Sequence, residues 1–225
     1  MPHPPVSLPA YWDLYKPYRG EGDQPPPPDD RFDWTQYPGH GPGAELLGPC
    51  TSALELGPGE GAEAAYLAQL GVHVTAIDLS PVQTERARRF WAHLPGLDFL
   101  HAEACAYLQA AGPCFDAIYS NWGAVWFTDP EELMPRILRR LAPGGTLVFS
   151  QAEPGDAHGP QQMGGRWLEG RERELTVQRW QYTPQAWTGI LKRHGYTDIN
   201  ARTLPAPQPG RFGTLLVQAH RDQAS

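Results

Sequence analysis

The sequence predicts an α/β protein whose sheet is mostly parallel and covered by helices on both faces. Three observations predict it. Short apolar runs alternate with helical stretches along most of the chain, several helices open on a capping residue followed by proline, and the first strand ends in a turn with glycines at alternate positions, Gly57, Gly59 and Gly61.

The elements follow in order. Ala53 to Leu56 is a short apolar run fit for a buried parallel strand, and Glu63 to Leu70 has the composition of a packed helix. A second strand, His73 to Ile77, ends at Asp78. Ser80-Pro81-Val82-Gln83 then reads as a helix start with an N-cap, a proline at the first helical position and a reciprocal Gln, and Asp129-Pro130-Glu131-Glu132 repeats the device. Leu97 to Ala104 predicts a third strand running into Glu103-Ala104. Phe115 to Asn121 predicts a fourth, and Thr146 to Phe149 a fifth, entered through Ala142-Pro143-Gly144-Gly145. Thr183-Pro184 opens a last helix that Gly195 closes. The runs Thr197 to Leu204 and Gly213 to His220 have no helix between them, which predicts an antiparallel hairpin at the sheet edge.

The glycine turn carries the functional signal. Glycine admits positive φ and lets a ligand approach bare peptide groups, while the helix start beyond it offers unpaired N–H donors. An acid at the end of the neighbouring strand, about twenty residues on, can accept hydrogen bonds from both ribose hydroxyls, and Asp78 stands there. Together they predict an adenosine-bearing ligand. Gly57, Gly59 and Ala62 also fit the dinucleotide fingerprint, so a nicotinamide cofactor enters the comparison.

Other residues separate the two. Glu55 precedes the turn, the third glycine falls at Gly61, and a long segment lies upstream of the first strand. The pattern E-x-G-x-G-x-G at Glu55 to Gly61, followed by Asp78, Glu103-Ala104, the strand ending at Asn121 and the Pro143-Gly144-Gly145 turn, resembles the class I S-adenosylmethionine-dependent methyltransferases. The resemblance implies a Rossmann-like seven-stranded sheet of order 3-2-1-4-5-7-6 and the cofactor S-adenosyl-L-methionine. It implies cofactor contacts from Glu55, Gly57, Gly59, Gly61, Asp78, Leu79, Glu103, Ala104 and Asn121, with Glu55 near the amino group of the methionine moiety. The expected activity is methyl transfer to a small, aromatic or amphipathic acceptor, of the kind met in natural-product metabolism. Two other readings stand beside it: a dinucleotide-dependent oxidoreductase on a related scaffold, and a non-catalytic or partner-binding protein that keeps the nucleoside pocket.

Length and composition bound the rest. A chain of 225 residues with 40% hydrophobic residues can bury one sizeable core, so one domain is expected over residues 1–225: a cap or lid segment at 1–48, then a cofactor-binding core at 49–225. No run of eighteen apolar residues occurs and no signal segment opens the chain, which predicts a cytoplasmic protein without a membrane partner. A formal charge of −7 disfavours nucleic acid. Cys50, Cys105 and Cys114 have no metal-ligand spacing, so no metal site is expected. Lysine is confined to Lys16 and Lys192, whereas arginine, alanine, glycine and proline abound, a bias expected of a bacterium with a GC-rich genome. The oligomeric state stays open.

The acceptor side is sought in aromatic segments outside the sheet. Tyr11, Trp12, Tyr15 and Tyr18 form one face if helical, and Pro25 to Pro28 ends any such helix. Trp34 to Gly43 is loosely similar to the stretch that covers the methyl donor in thiol and halide methyltransferases. That places Trp34, Tyr37 and His40 near the cofactor, unless Trp34 and Tyr37 only staple the N-terminal segment to the sheet. Trp122 is expected in the pocket and Trp126-Phe127 in the core. Residues 153–182 are too long for a plain connection and are expected to be an acceptor-recognition insertion, with Arg166 and Trp167 touching substrate. His40 and His158 flank the expected acceptor and are the candidate general bases for an acceptor that must lose a proton.

Overall fold

A computed structural model describes residues 8–15, 31–156, 158–164 and 176–223. Its main sheet takes β1 (Ser52–Leu56), β2 (His73–Asp78), β3 (Leu97–His101), β4 (Phe115–Asn121), β5 (Leu141–Ala152), β8 (Thr197–Leu204) and β9 (Thr214–His220). They lie in the order β3-β2-β1-β4-β5-β9-β8. Strands β1 to β5 are parallel, and β9 runs antiparallel to both β5 and β8. With β8 and β9 counted as its sixth and seventh strands, this is the order the sequence implies.

The alternation of side chains along the strands explains why helices cover both faces. Leu54, Leu56, Ile118, Leu147, Phe149 and Val217 point to one side and pack against α4 (Ala104–Gln109), α6 (Pro130–Arg140) and α7 (Pro184–Arg193). Ala53, Ala76, Ala117, Tyr119, Val148 and Leu216 point to the other, where α2 (Ala62–Gln69) and α3 (Pro81–Trp91) lie. The rest of that second face is covered by Phe32, Trp34 and Leu47 from the N-terminal segment.

The helix starts form as their sequences dictate. Ser80 accepts a hydrogen bond from the Gln83 amide at 3.1 Å, Asp129 from Glu131 at 2.9 Å and Thr183 from Ala186 at 3.2 Å. The Gln83 side chain does not close the capping box. Its amide donates instead to the carbonyls of Trp12 and Tyr15, so it clamps the start of the described chain, α1 (Leu8–Asp13), onto α3. Strand assignment for β5 begins earlier than expected, at Leu141. The pairing jumps from Phe115–Leu141 to Ala117–Thr146, so Ala142 to Gly145 loop out as a bulge before the strand proper.

One pair of strands was not anticipated. Residues 153–182 contain an antiparallel hairpin, β6 (Gly159–Gly164) and β7 (Thr176–Gln181), outside the main sheet. Val177, Arg179 and Gln181 are buried and Gln178 is exposed, the period-2 pattern of a half-buried strand. Strand β7 packs on α5 (Ala124–Phe127). Arg166 and Trp167 lie outside the described residues, as do Tyr18 and Pro25 to Pro28. Among the described residues no helix is long and apolar enough to cross a membrane.

Candidate active site

At the carboxyl ends of β1, β2 and β4 lies a cavity of about 1060 Å³. Parallel sheets bind ligands at this edge, because loops there diverge to opposite faces and helix N-termini point into the gap. Gly57, Gly59, Gly61, Asp78, Leu79, Glu103, Ala104 and Asn121 all line it, together with Tyr15 and Trp122. The sequence had brought these ten residues to one place.

The three glycines have different reasons for being glycine. All have positive φ, +80° at Gly57, +55° at Gly59 and +77° at Gly61. A Cβ on Gly57 would stand 2.6 Å from the Ala124 nitrogen, and one on Gly61 would stand 2.5 Å from the Phe99 ring. Those two are demanded by the protein's own packing. A Cβ on Gly59 would meet only the Tyr15 ring edge at 4.0 Å, so Gly59 alone keeps its side open to the cavity. This corrects the reading that the whole turn is shaped for a ligand.

Asp78 is held at the mouth of that turn. Its carboxylate accepts the Gly59 amide at 3.1 Å on one oxygen and the Ser80 amide at 2.8 Å on the other. Burial raises its pKa from the ordinary 3.8 to about 6, against the lowering effect of those two amides and of His101. A carboxylate offers about four acceptor positions, so two remain for hydroxyl donors entering from the cavity. The open side of Gly59 and the part-used carboxylate of Asp78 fit an adenosine ribose. Glu103 caps α4 by accepting the Cys105 and Ala106 amides at 2.9 and 2.7 Å, and with Ala104 it forms the wall beyond Leu79.

Glu55 stands apart from the expected set. It is 1% exposed and does not line the cavity; it lies behind the turn, where the Tyr119 hydroxyl donates to it at 3.0 Å. Burial, reinforced by the charge of Glu63, pushes its pKa well above the usual carboxylate range. Glu63, in the first turn of α2, is the acid that reaches the cavity. Asn121 donates to it at 2.8 Å and to the Asp33 carbonyl at 2.9 Å, and the Ser150 hydroxyl orients the amide by donating to its oxygen at 2.6 Å. Sequence reasoning missed Glu63, although an acid two residues past Gly61 on a helix start was visible.

Part of the cavity's lining is aromatic and carries one cation. Trp12, Tyr15, Trp122, Trp126, Phe127 and Arg179 make up that part. Trp12 packs edge-on against Tyr15 and Phe127, and Trp122 against Trp126. Trp122 holds φ at +53°, a left-handed conformation costly for a bulky residue, with its indole donating to the Trp34 carbonyl at 3.1 Å. Trp126 and Phe127 were expected in the core; Trp126 is 6% exposed and both contribute to the cavity wall.

Four expected site residues lie elsewhere. Trp34 is fully buried against Phe32 and Tyr119, its indole donating to the Gly43 carbonyl at 2.9 Å, so it staples the N-terminal segment to the sheet. The Tyr37 hydroxyl donates to the Phe212 carbonyl at 2.8 Å, and His40 Nε2 lies 2.8 Å from the Pro205 carbonyl, so both bind the β8–β9 connection. His158 is exposed and packs edge-on against Tyr182. Of residues 32–43, only Asp33, Thr35 and Gln36 line the cavity. Neither His40 nor His158 is placed to act on a ligand there, because each is engaged on another surface.

Comparison with known proteins agrees with this geometry. Residues 54–149 match a family model described as a methyltransferase domain. The chain is 36% identical over 120 residues to the trans-aconitate 2-methyltransferase of Delftia acidovorans, covering 50% of this chain and 44% of that one. It is 28% identical over 182 residues to the enzyme of the same name from Deinococcus radiodurans, covering 74% and 67%. The match spans less than half the length of the first curated relatives, 37% and 44% of two of them. Among solved structures, the 1,6-didemethyltoxoflavin-N1-methyltransferase of Burkholderia thailandensis, bound to 1,6-didemethyltoxoflavin and S-adenosylhomocysteine, shares the fold. Its TM-score is 0.57 at 22% identity, covering 77% of this chain and 72% of that one. Its glycine turn, its strand order and these matches make the chain similar to the class I S-adenosylmethionine-dependent methyltransferases, with a methyltransferase domain matched over residues 54–149.

Proposed function

We propose that this chain transfers the methyl group of S-adenosylmethionine to a small-molecule acceptor held at the aromatic end of the same cavity. One observation carries the reading: Gly59 and Asp78 line the same cavity as Trp122, Trp126 and Phe127. When bound, the cofactor supplies an electrophilic methyl on a sulfonium, which an aligned nucleophile displaces in line. Asp78 accepts the ribose hydroxyls, while Leu79, Glu103 and Ala104 flank the adenine. Glu63, oriented by Asn121, meets the methionine ammonium in place of the withdrawn Glu55. The faces of Trp122 and Trp126 stabilise positive charge and exclude water. Helix α1, clamped by Gln83, closes the space from above α3. The histidines expected as bases are engaged elsewhere, so the reading assigns no general base.

The relatives support a small acceptor, since the trans-aconitate 2-methyltransferases are named for a small molecule. We place the reaction in the cytoplasm and assign it no nucleic-acid or membrane partner. The test is turnover with cofactor carrying an isotopic methyl group and a panel of small acids, phenols, amines and thiols. Appearance of label in a small molecule with matching release of S-adenosylhomocysteine is the expected result. Binding of the cofactor with label reaching only macromolecules added to the assay would overturn the small-molecule reading.

A further inference from the structure

One polar side chain behind the cavity acts only through its neighbour. Ser150 on β5 is 2% exposed and does not line the cavity. Its surroundings on that face of the sheet are apolar: Val148 precedes it by two residues and Leu216 stands opposite it on β9, both fully buried. Alanine would satisfy that packing. A buried hydroxyl needs a hydrogen-bond partner, and Ser150 finds it by donating to Asn121 Oδ1 at 2.6 Å.

That bond completes the Asn121 amide. The two hydrogens on Nδ2 go to Glu63 Oε1 at 2.8 Å and to the Asp33 carbonyl at 2.9 Å. Both partners are acceptors, so only the nitrogen can face them, and a hydroxyl donating to the oxygen holds the amide plane in that orientation. Ser150 also holds the backbone beyond. Asn121 ends β4, Trp122 leaves the strand with φ at +53°, and the Trp122 amide returns to the Ser150 carbonyl at 3.0 Å. One residue outside the cavity therefore fixes the end of β4, where Asn121 and Trp122 both line it.

We infer that Ser150 is a positioning residue for the amino-acid end of the cofactor. Acting through Asn121, it holds the Glu63 carboxylate in place before a ligand arrives, and so sets the preference for a nucleoside thioether that carries an amino group. The inference rests on the proposed methyl-transfer reading and deepens it by naming a residue that tunes the site without touching the ligand. A carboxylate already held in place loses less freedom on binding, so its contact with an ammonium contributes more to affinity. The adenosine end is insulated from this effect: Asp78 bonds to the Gly59 and Ser80 amides and shares no hydrogen-bond partner with Ser150.

The test is a calorimetric titration of the full chain with two probes, S-adenosylhomocysteine and its deaminated analogue, in which hydrogen replaces the amino group. The wild-type chain is expected to prefer S-adenosylhomocysteine by about tenfold or more. S150A lowers that preference by about threefold or more, while affinity for the deaminated probe stays within about twofold of wild type. On an N121A background, where the hydroxyl has lost the group it orients, S150A lowers the preference no further. Denaturation midpoints taken alongside establish that each titrated variant is folded. A preference in S150A equal to that of wild type, an equal loss of affinity for both probes, or a further loss on the N121A background would overturn the inference and leave the methyltransferase reading standing. Equal binding of the two probes by wild type would overturn it as well, by removing the contact between Glu63 and the ammonium. Failure of the wild-type chain to bind S-adenosylhomocysteine at all would instead remove the reading on which the inference rests.

Discussion

The two ends of the cavity are built in opposite ways. The glycine-turn end comes from consecutive residues: β1, the turn and the start of α2, completed by Asp78 one strand away. The aromatic end is assembled from α1, the β4–α5 loop and β7, which are far apart in the chain. At the first end the backbone itself makes the site, so a few glycines and one acid define it. At the second, side chains make it, and their direction depends on how separate segments pack. In the proposed reading, that difference lets the first end serve a cofactor shared by many methyltransferases while the second varies with the acceptor.

The largest expected effect separates the glycines within the turn. Gly61→Leu drives a side chain into the Phe99 ring in a left-handed backbone, and should cost the fold on the order of 3 kcal/mol or more, read as a lowered denaturation midpoint. Gly59→Leu carries the backbone strain alone, about 1–2 kcal/mol, but fills the space a ligand needs. Its expected signature is a chain that still folds and has lost S-adenosylhomocysteine binding in calorimetry. If Gly61→Leu proved as stable as wild type, the packing role of that glycine would be wrong.

Next in size is Asp78→Ala. Removing the acid proposed to accept two ribose hydroxyls should weaken S-adenosylhomocysteine by roughly 1–3 kcal/mol, measured by the same titration. The pH dependence of Asp78 sharpens this. Burial raises its pKa from 3.8 to about 6, so the folded chain holds the proton more tightly than the unfolded one. Its contribution to stability is therefore present below pH 3.8 and is lost as pH rises to about 6. Ribose hydroxyls donate to the ionised form, so cofactor affinity should move the other way and strengthen as pH rises through about 6. Asp78→Asn should flatten both trends.

The smallest effect belongs to the clamp on the aromatic end. Gln83→Ala removes the donor to the Trp12 and Tyr15 carbonyls, a change of about 1 kcal/mol. Hydrogen exchange should speed up at residues 12–15 while the sheet amides remain protected. Unchanged exchange in that segment would show that aromatic packing on Phe127, rather than Gln83, holds α1 down.

How much of this was legible in the chain follows the same division. Strands β1 to β5 and the caps at Ser80, Asp129 and Thr183 could be read because apolar runs and capping residues act locally. Glu55 and Trp34 misled, because an acid before a glycine turn and a tryptophan in a flexible segment can each face either way. Only the packing of Tyr119 against both decides that they turn inward. His40 and Tyr37 were placed by a loose local likeness, whereas the β8–β9 connection that holds them is far away in sequence. Arg179 was not singled out because no strand was expected at residues 176–181; its burial exists only once β7 lies on α5.

The central claim is that the glycine turn and Asp78 hold the adenosyl donor. Its most direct test is a calorimetric titration of the wild-type chain with S-adenosylhomocysteine and, separately, with NAD, repeated on Asp78→Ala. Saturable binding of S-adenosylhomocysteine, weakened in Asp78→Ala, with no heat from NAD, is the predicted result. Binding of NAD alone, or S-adenosylhomocysteine affinity indifferent to Asp78, would contradict it.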